Sequence, residues 1–228
     1  MMHIDLLKLV HGELDVERDK GTFDGVTIGI VTSIEDDEHL GRIRVKFPFI
    51  ADQIESGWAR LSTPWAGKGR GHYFVPEVDD EVLVAFEHGD LRYPYVLGCL
   101  WSADAPPPVL EPATQKREIR SKSGHALTYD DSDGRESVVL KSQGGHSIVL
   151  DDAAGAAKIS ITDSTNKFSI VIDAAAQKIT IASTGGELKL DAAKLTLTAQ
   201  SVDIGSQGSL SLHASGAFTI NGQAVKIN

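Results

Sequence analysis

The chain has 228 residues, 41% of them hydrophobic and 24% charged, with 22 Lys and Arg against 32 Asp and Glu, for a formal net charge of −10. That apolar content excludes an intrinsically disordered chain, and the acidic balance argues against a duplex-binding protein, whose affinity rests on cationic contacts with phosphates. No run of 18 apolar residues is present to span a membrane. The acidic opening MMHIDLLKLVHGELD lacks the apolar stretch of a secretory signal, and the single cysteine, Cys99, cannot form an internal disulfide. Synthesis in the cytoplasm without a signal peptide is the expectation.

The two halves differ in inventory. Met1 to Thr114 carries 10 basic and 20 acidic residues, all eight prolines and all three tryptophans; Gln115 to Asn228 carries 12 basic and 12 acidic residues, with only Tyr129, Phe168 and Phe218 as aromatics. Four segments follow: an N-terminal arm over 1–24, a β-barrel over 25–103, a proline-rich linker over 104–115 and a repeat region over 116–228. In the arm, Ile4 to Val10 reads as a short helix. The barrel is predicted from β-rich or alternating runs at Val26–Ile34, Arg42–Phe47, Trp58–Leu61, Glu81–Glu87 and Tyr95–Trp101. Five strands at that spacing suit a small closed barrel, which leaves no exposed edges. The three consecutive prolines of DAPPPVLEPATQ favour an extended path and stop any helix or central strand.

Beyond the linker, apolar pairs separated by one residue recur: Val138/Leu140, Ile148/Leu150, Ile159/Ile161, Ile170/Ile172, Ile179/Ile181, Leu188/Leu190, Leu195/Leu197, Val202/Ile204, Leu210/Leu212, Phe218/Ile220 and Val225/Ile227. A repeat architecture is implied. The segment Gly124 to Gly144 also aligns with Gly145 to Thr165, setting Leu127 against Ile148 and Asp130-Asp131 against Asp151-Asp152. A single-chain β-helix needs roughly 18 to 25 residues per coil, and seven or eight residues complete only one face. The period therefore predicts an intertwined, parallel homotrimer, a triangular β-helix whose three chains each supply one side of the prism. The pairs from Val138 to Ile220 are its expected core. Scarce aromatics fit a narrow interior, and missing proline fits ladders in which every amide donates.

The barrel text resembles a known family. GIVTSIEDDEHLGRIRVKFPFI and WARLSTPWAGKGRGHYFVPEVDDEVLVAFEHGDLRYPYVLGCLW are similar to the OB barrel of phage baseplate assembly protein V, of the valine-glycine repeat spikes of type VI secretion and of extracellular contractile injection systems. The resemblance is carried by Gly29, Gly41-Arg42, Phe47-Pro48, Trp58, Arg60, Ala66-Gly67, Gly71, Pro76, Glu81-Val82, Phe86, Gly89-Asp90, Pro94 and Gly98. Asp79-Asp80 departs from it where Gly-Asp is usual. The resemblance implies an all-β structural protein: a homotrimeric central spike that pierces a target envelope when a sheath contracts, lies within a tail-like particle or secretion apparatus, and makes transient contact with the target membrane. A separate hub protein is expected at the N-terminal side, since no fused hub domain precedes the barrel. At the C-terminal side a small tip protein of the proline-alanine-alanine-arginine (PAAR) repeat type is expected to cap Val225, Lys226, Ile227 and Asn228.

Other chemistries find less support in the residues. His125 and His146 follow glycines and share parity with inward Leu127 and Ile148, so three copies would form imidazole rings capable of holding a metal; solvent-facing turns are the plainer reading, and no cofactor or metal is expected. His213 has outward parity. Gly67-Lys-Gly-Arg-Gly71 lacks the ending of a phosphate loop and reads as a flexible loop. Glu35-Asp-Asp-Glu38 reads as a solvated turn. No Ser, His and Asp arrangement suggests catalysis, and the chain is not expected to be an enzyme. A β-helical polysaccharide-degrading tailspike would need clustered carboxylates and aromatic platforms in the repeats. A receptor-binding fibre would end in a broader aromatic tip. Nucleic-acid binding by the barrel runs against its charge.

Overall fold

The computed structural model describes residues 23, 25–49, 51–110 and 115–227, in two compact units that divide between Glu111 and Pro112. The helix expected over Ile4 to Val10 lies outside the described residues. Among the described residues there is no α-helix, and one 3-10 turn spans Glu87–Gly89.

The first unit holds β1 (Val26–Ser33), β2 (Arg44–Phe47), β3 (Ala51–Glu55), β4 (Arg60–Leu61), β5 (Ala66–Gly67), β6 (Arg70–Gly71), β7 (Glu81–Phe86) and β8 (Pro94–Leu100). Six of these form one sheet in the order β3-β2-β1-β7-β8-β4, with β4 joined parallel to β8 and all other pairs antiparallel. The sheet curls on itself. The Ile43 N–H donates to the Ala59 carbonyl at 3.0 Å and the Ala59 N–H returns a bond to Ile43 at 2.8 Å, tying the β2 side to the β4 side. Strict alternation drives the curl: Val31, Ile43, Val45, Val82, Val84 and Val96 are fully buried while the intervening residues face outward. Phe47 and Phe86 close the core edge to face, with ring centroids 5.4 Å apart. Gly29 lies in the crowded middle of β1, where a Cβ would approach Val84 Cγ2 at 3.1 Å and Val45 Cβ at 3.3 Å. The expected strands at Val26, Arg42, Trp58, Glu81 and Tyr95 are present; β3 and the β5–β6 hairpin are additions. The linker is described as far as Leu110 and holds neither helix nor strand.

The second unit begins with a seven-stranded antiparallel meander: β9 (Lys116–Arg120), β10 (Ala126–Asp130), β11 (Ser137–Lys141), β12 (Ser147–Asp151), β13 (Lys158–Thr162), β14 (Phe168–Asp173) and β15 (Lys178–Ser183). Each strand from β11 to β15 carries one of the apolar pairs read from the sequence. Their ladder, however, is made within the chain, neighbour to neighbour in sequence order. The expectation that such strands pair between chains therefore differs from the structure over residues 116–183. The cause is the turns: loops of four to six residues separate these strands, short enough to fold each back on its predecessor. From residue 184 the chain adopts no strand, and none of its apolar pairs has a ladder partner among the described residues.

Candidate assembly surface

Register places the apolar pairs on one face of the meander. Ile119, Leu127, Leu140, Ile148, Ile161, Ile170 and Ile181 lie directly opposite one another across seven strands. Arg117, Tyr129, Val138, Leu150, Ile159, Ile172 and Ile179 form a second column beside them, apolar after its first member. Directly opposed residues share a face in a pleated ladder, so both columns point the same way. The opposite face carries Thr128, Val139, Val149, Ser160, Val171 and Thr180, flanked by a row of mixed charge that runs Lys116, Asp130, Ser137, Asp151, Lys158, Asp173 and Lys178. Lys116 Nζ lies 3.3 Å from Asp130, and Lys158 Nζ lies 3.8 Å from Asp151.

This sheet is one layer thick, and its isoleucine face is open. Ile148, Ile161 and Ile170 remain 38–46% exposed, and they line an apolar trough of about 590 Å³ with Phe168, Ile181 and Leu188. Leu188, Leu190, Leu195, Leu197, Val202, Ile204, Leu210, Leu212, Phe218, Ile220, Val225 and Ile227 are all exposed as well. Asn228 lies outside the described residues. A contiguous exposed apolar face of this kind marks an association site.

His125 and His146 occupy equivalent turns in successive copies of the doubled repeat. In the first, the Ser121 N–H donates to the His125 carbonyl, the His125 N–H to Ser121 Oγ, and the Gln143 N–H to His125 Nδ1 at 3.2 Å. In the second, Ser142 and His146 repeat these bonds and the Ser164 N–H reaches His146 Nδ1 at 3.2 Å. Gly124 and Gly145 each adopt φ +93° to make the turn. Each imidazole thus caps the next turn along the sheet edge. With Nδ1 accepting, a neutral ring carries its proton on Nε2 and offers a donor there rather than a metal-ligating lone pair. Among the described residues, no three His, Cys, Asp or Glu side chains gather as a metal site. His213 is exposed in the segment without strands.

In the barrel, two turns differ from their sequence reading. The acid run is not uniformly solvated, because Asp36 is only 7% exposed. Its carboxylate accepts the N–H groups of Glu38, Leu40 and Arg42 at 3.2, 3.0 and 3.3 Å, together with Arg42 Nε at 2.9 Å and Nη2 at 2.6 Å. Five donors on one carboxylate explain why Gly41-Arg42 follows the run at a fixed distance: the turn is built around Asp36. The Arg42 guanidinium, foremost, holds this carboxyl well below the usual range. Arg92 similarly lowers Asp90 to about 2. Such depressed groups contribute stability that is full above their unfolded values near 4 and is lost as pH falls through the folded values. Barrel stability, read as the urea midpoint, is expected to be level from about pH 7 to 5 and to decline below about pH 4. A midpoint that rises on acidification would contradict this.

The stretch read as a flexible loop is the β5–β6 hairpin. Gly71 has φ +146°, and a Cβ there would lie 2.5 Å from the Trp65 carbonyl oxygen, so only glycine permits the close approach. The His72 N–H donates to that same carbonyl, and Thr63 Oγ1 donates to the His72 carbonyl at 2.9 Å. Trp65, Tyr73 and Phe74 remain exposed around it. On another face Trp58 receives the Arg44 guanidinium at 4.5 Å, and Arg44 also pairs with Glu55 at 3.2 Å.

The first unit is thus a curled all-β sheet, and the second carries an exposed apolar repeat. Residues 27–101 match the family model of the type VI secretion system/phage-baseplate injector OB domain. Over 112 residues the chain is 36% identical to the type VI secretion system spike protein VgrG4b of Pseudomonas aeruginosa, covering 44% of this chain and 14% of that one. It is 30% identical over 116 residues to the actin cross-linking toxin VgrG1 of Vibrio cholerae, covering 46% and 10%, and 28% identical over 135 residues to the spike protein VgrG3 of the same species, covering 53% and 13%. The chain therefore spans only about a tenth to a seventh of the length of these relatives. The barrel thus matches the injector OB domain, and about half of the chain is similar to part of the VgrG spike proteins of type VI secretion. Among the described residues, no helix is long and apolar enough to cross a membrane.

Proposed function

We propose that this chain is the structural central spike of a contractile injection system, a parallel homotrimer that joins a hub to a tip protein and pierces the target envelope on sheath contraction. The observation that carries the reading is the pair of apolar columns on β9–β15, continued by apolar pairs that have no ladder partner among the described residues. Three copies satisfy both needs. Their meander sheets pack isoleucine face to isoleucine face as the three sides of a prism, and residues 187–227 pair between copies. Thirteen large apolar residues per chain leave water in the first part alone, each contributing roughly 1–2 kcal/mol on burial. The reading assigns the chain a mechanical role without chemistry of its own. Val225, Lys226, Ile227 and Asn228 are assigned to a small tip protein of the PAAR type, and a separate hub is assigned to the N-terminal side.

The test is mass in solution together with a paired-cysteine variant. By light scattering the full chain is expected at three times its 24.4 kDa chain mass; a monomer would end the proposal. Val149 and Ser160 lie directly opposite on β12 and β13. In a Cys99→Ser background, Val149→Cys with Ser160→Cys should form a disulfide that runs as one chain on a denaturing gel. A trimer locked covalently between chains would instead mean that these ladders are shared.

A further inference from the structure

Aromatic side chains dominate one groove of the barrel, and no Asp or Glu is among the described residues that line it. Leu40, Trp65, Arg70, His72, Tyr73 and Phe74 border a space of about 610 Å³. The rings are stepped along the β5–β6 hairpin: Trp65 and His72 stand edge to face with centroids 6.1 Å apart, and His72 and Phe74 lie 6.3 Å apart. Tyr73 is 80% exposed, Phe74 66% and Trp65 53%, and the Trp65 indole N–H has no acceptor among the described residues. Residues 56–76 carry Arg60, Lys68 and Arg70 and no acid; the acids Glu35 and Asp37 belong to the adjoining turn, outside the groove's lining. An aromatic-lined groove is the surface that takes up a polyproline-II segment, a preformed ridge whose backbone carbonyls stay free to accept.

The chain carries such a segment itself. Pro106-Pro107-Pro108 holds three successive residues near the polyproline φ, and residues 102–115 contain two acids, Asp104 and Glu111, and no Lys, Arg or His. Its charge is therefore the complement of the hairpin's. The segment also stands clear: Pro106 to Val109 are exposed, Val109 to 87%, and none of residues 101–110 lines the groove of its own barrel. Topology brings ligand and groove to one end of the barrel. β4 and β8 are parallel neighbours, so the hairpin that follows β4 and the linker that follows β8 leave the sheet on the same side. A tight turn starts the linker off, with the Ser102 N–H donating to the Ala105 carbonyl at 3.1 Å and the Ala105 N–H to Ser102 Oγ at 3.2 Å.

We infer that the Trp65/Tyr73/Phe74 groove is a polyproline-II binding site, and that its occupant is the Asp104–Leu110 segment of a second copy of this chain. The occupant rests on the homotrimer proposed above; the groove's chemistry does not. The test uses the full chain with Pro106→Ser, Pro107→Ser and Pro108→Ser, which disables its own segments, and a fluorescent synthetic peptide of residues 102–113 read by anisotropy. This variant is expected to bind the peptide saturably. Adding Trp65→Ala should weaken binding roughly tenfold or more, the effect of removing an aromatic anchor. Tyr73→Ala, which removes a mostly exposed ring, should do the same without disturbing the hairpin. The wild-type chain, its grooves already filled, should take up the peptide at least about tenfold more weakly than the variant. No binding to the variant, or binding that both alanine substitutions leave unchanged, overturns the groove. Equal binding by wild type and variant overturns the occupant. Light scattering reads the trimer separately, and a wild-type chain of monomeric mass that still excludes the peptide overturns exchange between copies.

Discussion

Ile161→Asp should reduce the solution mass of the assembled chain from that of the trimer to the 24.4 kDa of a single copy. Ile161 stands in the middle strand region of the first apolar column, between Ile148 and Ile170. In the proposed prism, symmetry places three such side chains around one axis, so a single substitution introduces three carboxylates into an apolar interior at once. An uncompensated buried carboxylate costs several kcal/mol, and like charges brought together cost more. The neighbouring change Ser160→Asp supplies the control, because adjacent strand residues face opposite sides. It adds the same charge to the same strand and should leave the mass at that of the trimer. Equal masses for the two variants would mean that the isoleucine face is not the contact.

Ile43→Ala should destabilise the barrel by about 2–5 kcal/mol, the range for truncating a fully buried aliphatic side chain, and lower its melting temperature by at least about 8 °C. Ile43 has no exposed surface, and its backbone makes both hydrogen bonds to Ala59 that tie the curled sheet. The lost methyl and methylene groups leave a void among Val31, Val45 and Val84 that a closed ring of strands cannot collapse to fill. Calorimetry on the full chain would resolve the barrel transition, and an unchanged transition would contradict the core described above.

Much of this is legible in the residues because period reports face. Alternation in Val82-Leu-Val84 and in Arg42-Ile-Arg-Val45 marks half-buried strands, and each is found. The apolar pairs from Val138 to Ile181 predict their strands within a residue or two. β3 escapes a reading by pattern because Ala51–Glu55 is polar and short, and β9 does so because Ile119 is the single aliphatic residue among three basic ones. Strand partnership is harder to read than strand position. Period fixes where a strand lies, whereas turn geometry decides whether its neighbour belongs to the same chain, and the glycines at 124, 134, 145 and 155 turn this one back on itself. Asp36 is hidden for a related reason. Four consecutive acids look alike in sequence, and only the fold shows that one of them gathers five donors while its neighbours face water.

The imidazole contacts give the sheet a unit of length. His125 reaches the turn at Gln143, and His146 reaches the turn at Ser164, through the same atoms one repeat further along. Each such unit adds two strands, about 9.6 Å across the ladder, and its histidine caps the turn that begins the next. Duplication or loss of one unit would therefore lengthen or shorten the sheet while preserving which side faces inward. Reach becomes a variable that descent can adjust in whole steps, without redesigning the barrel at one end or the apolar repeats at the other.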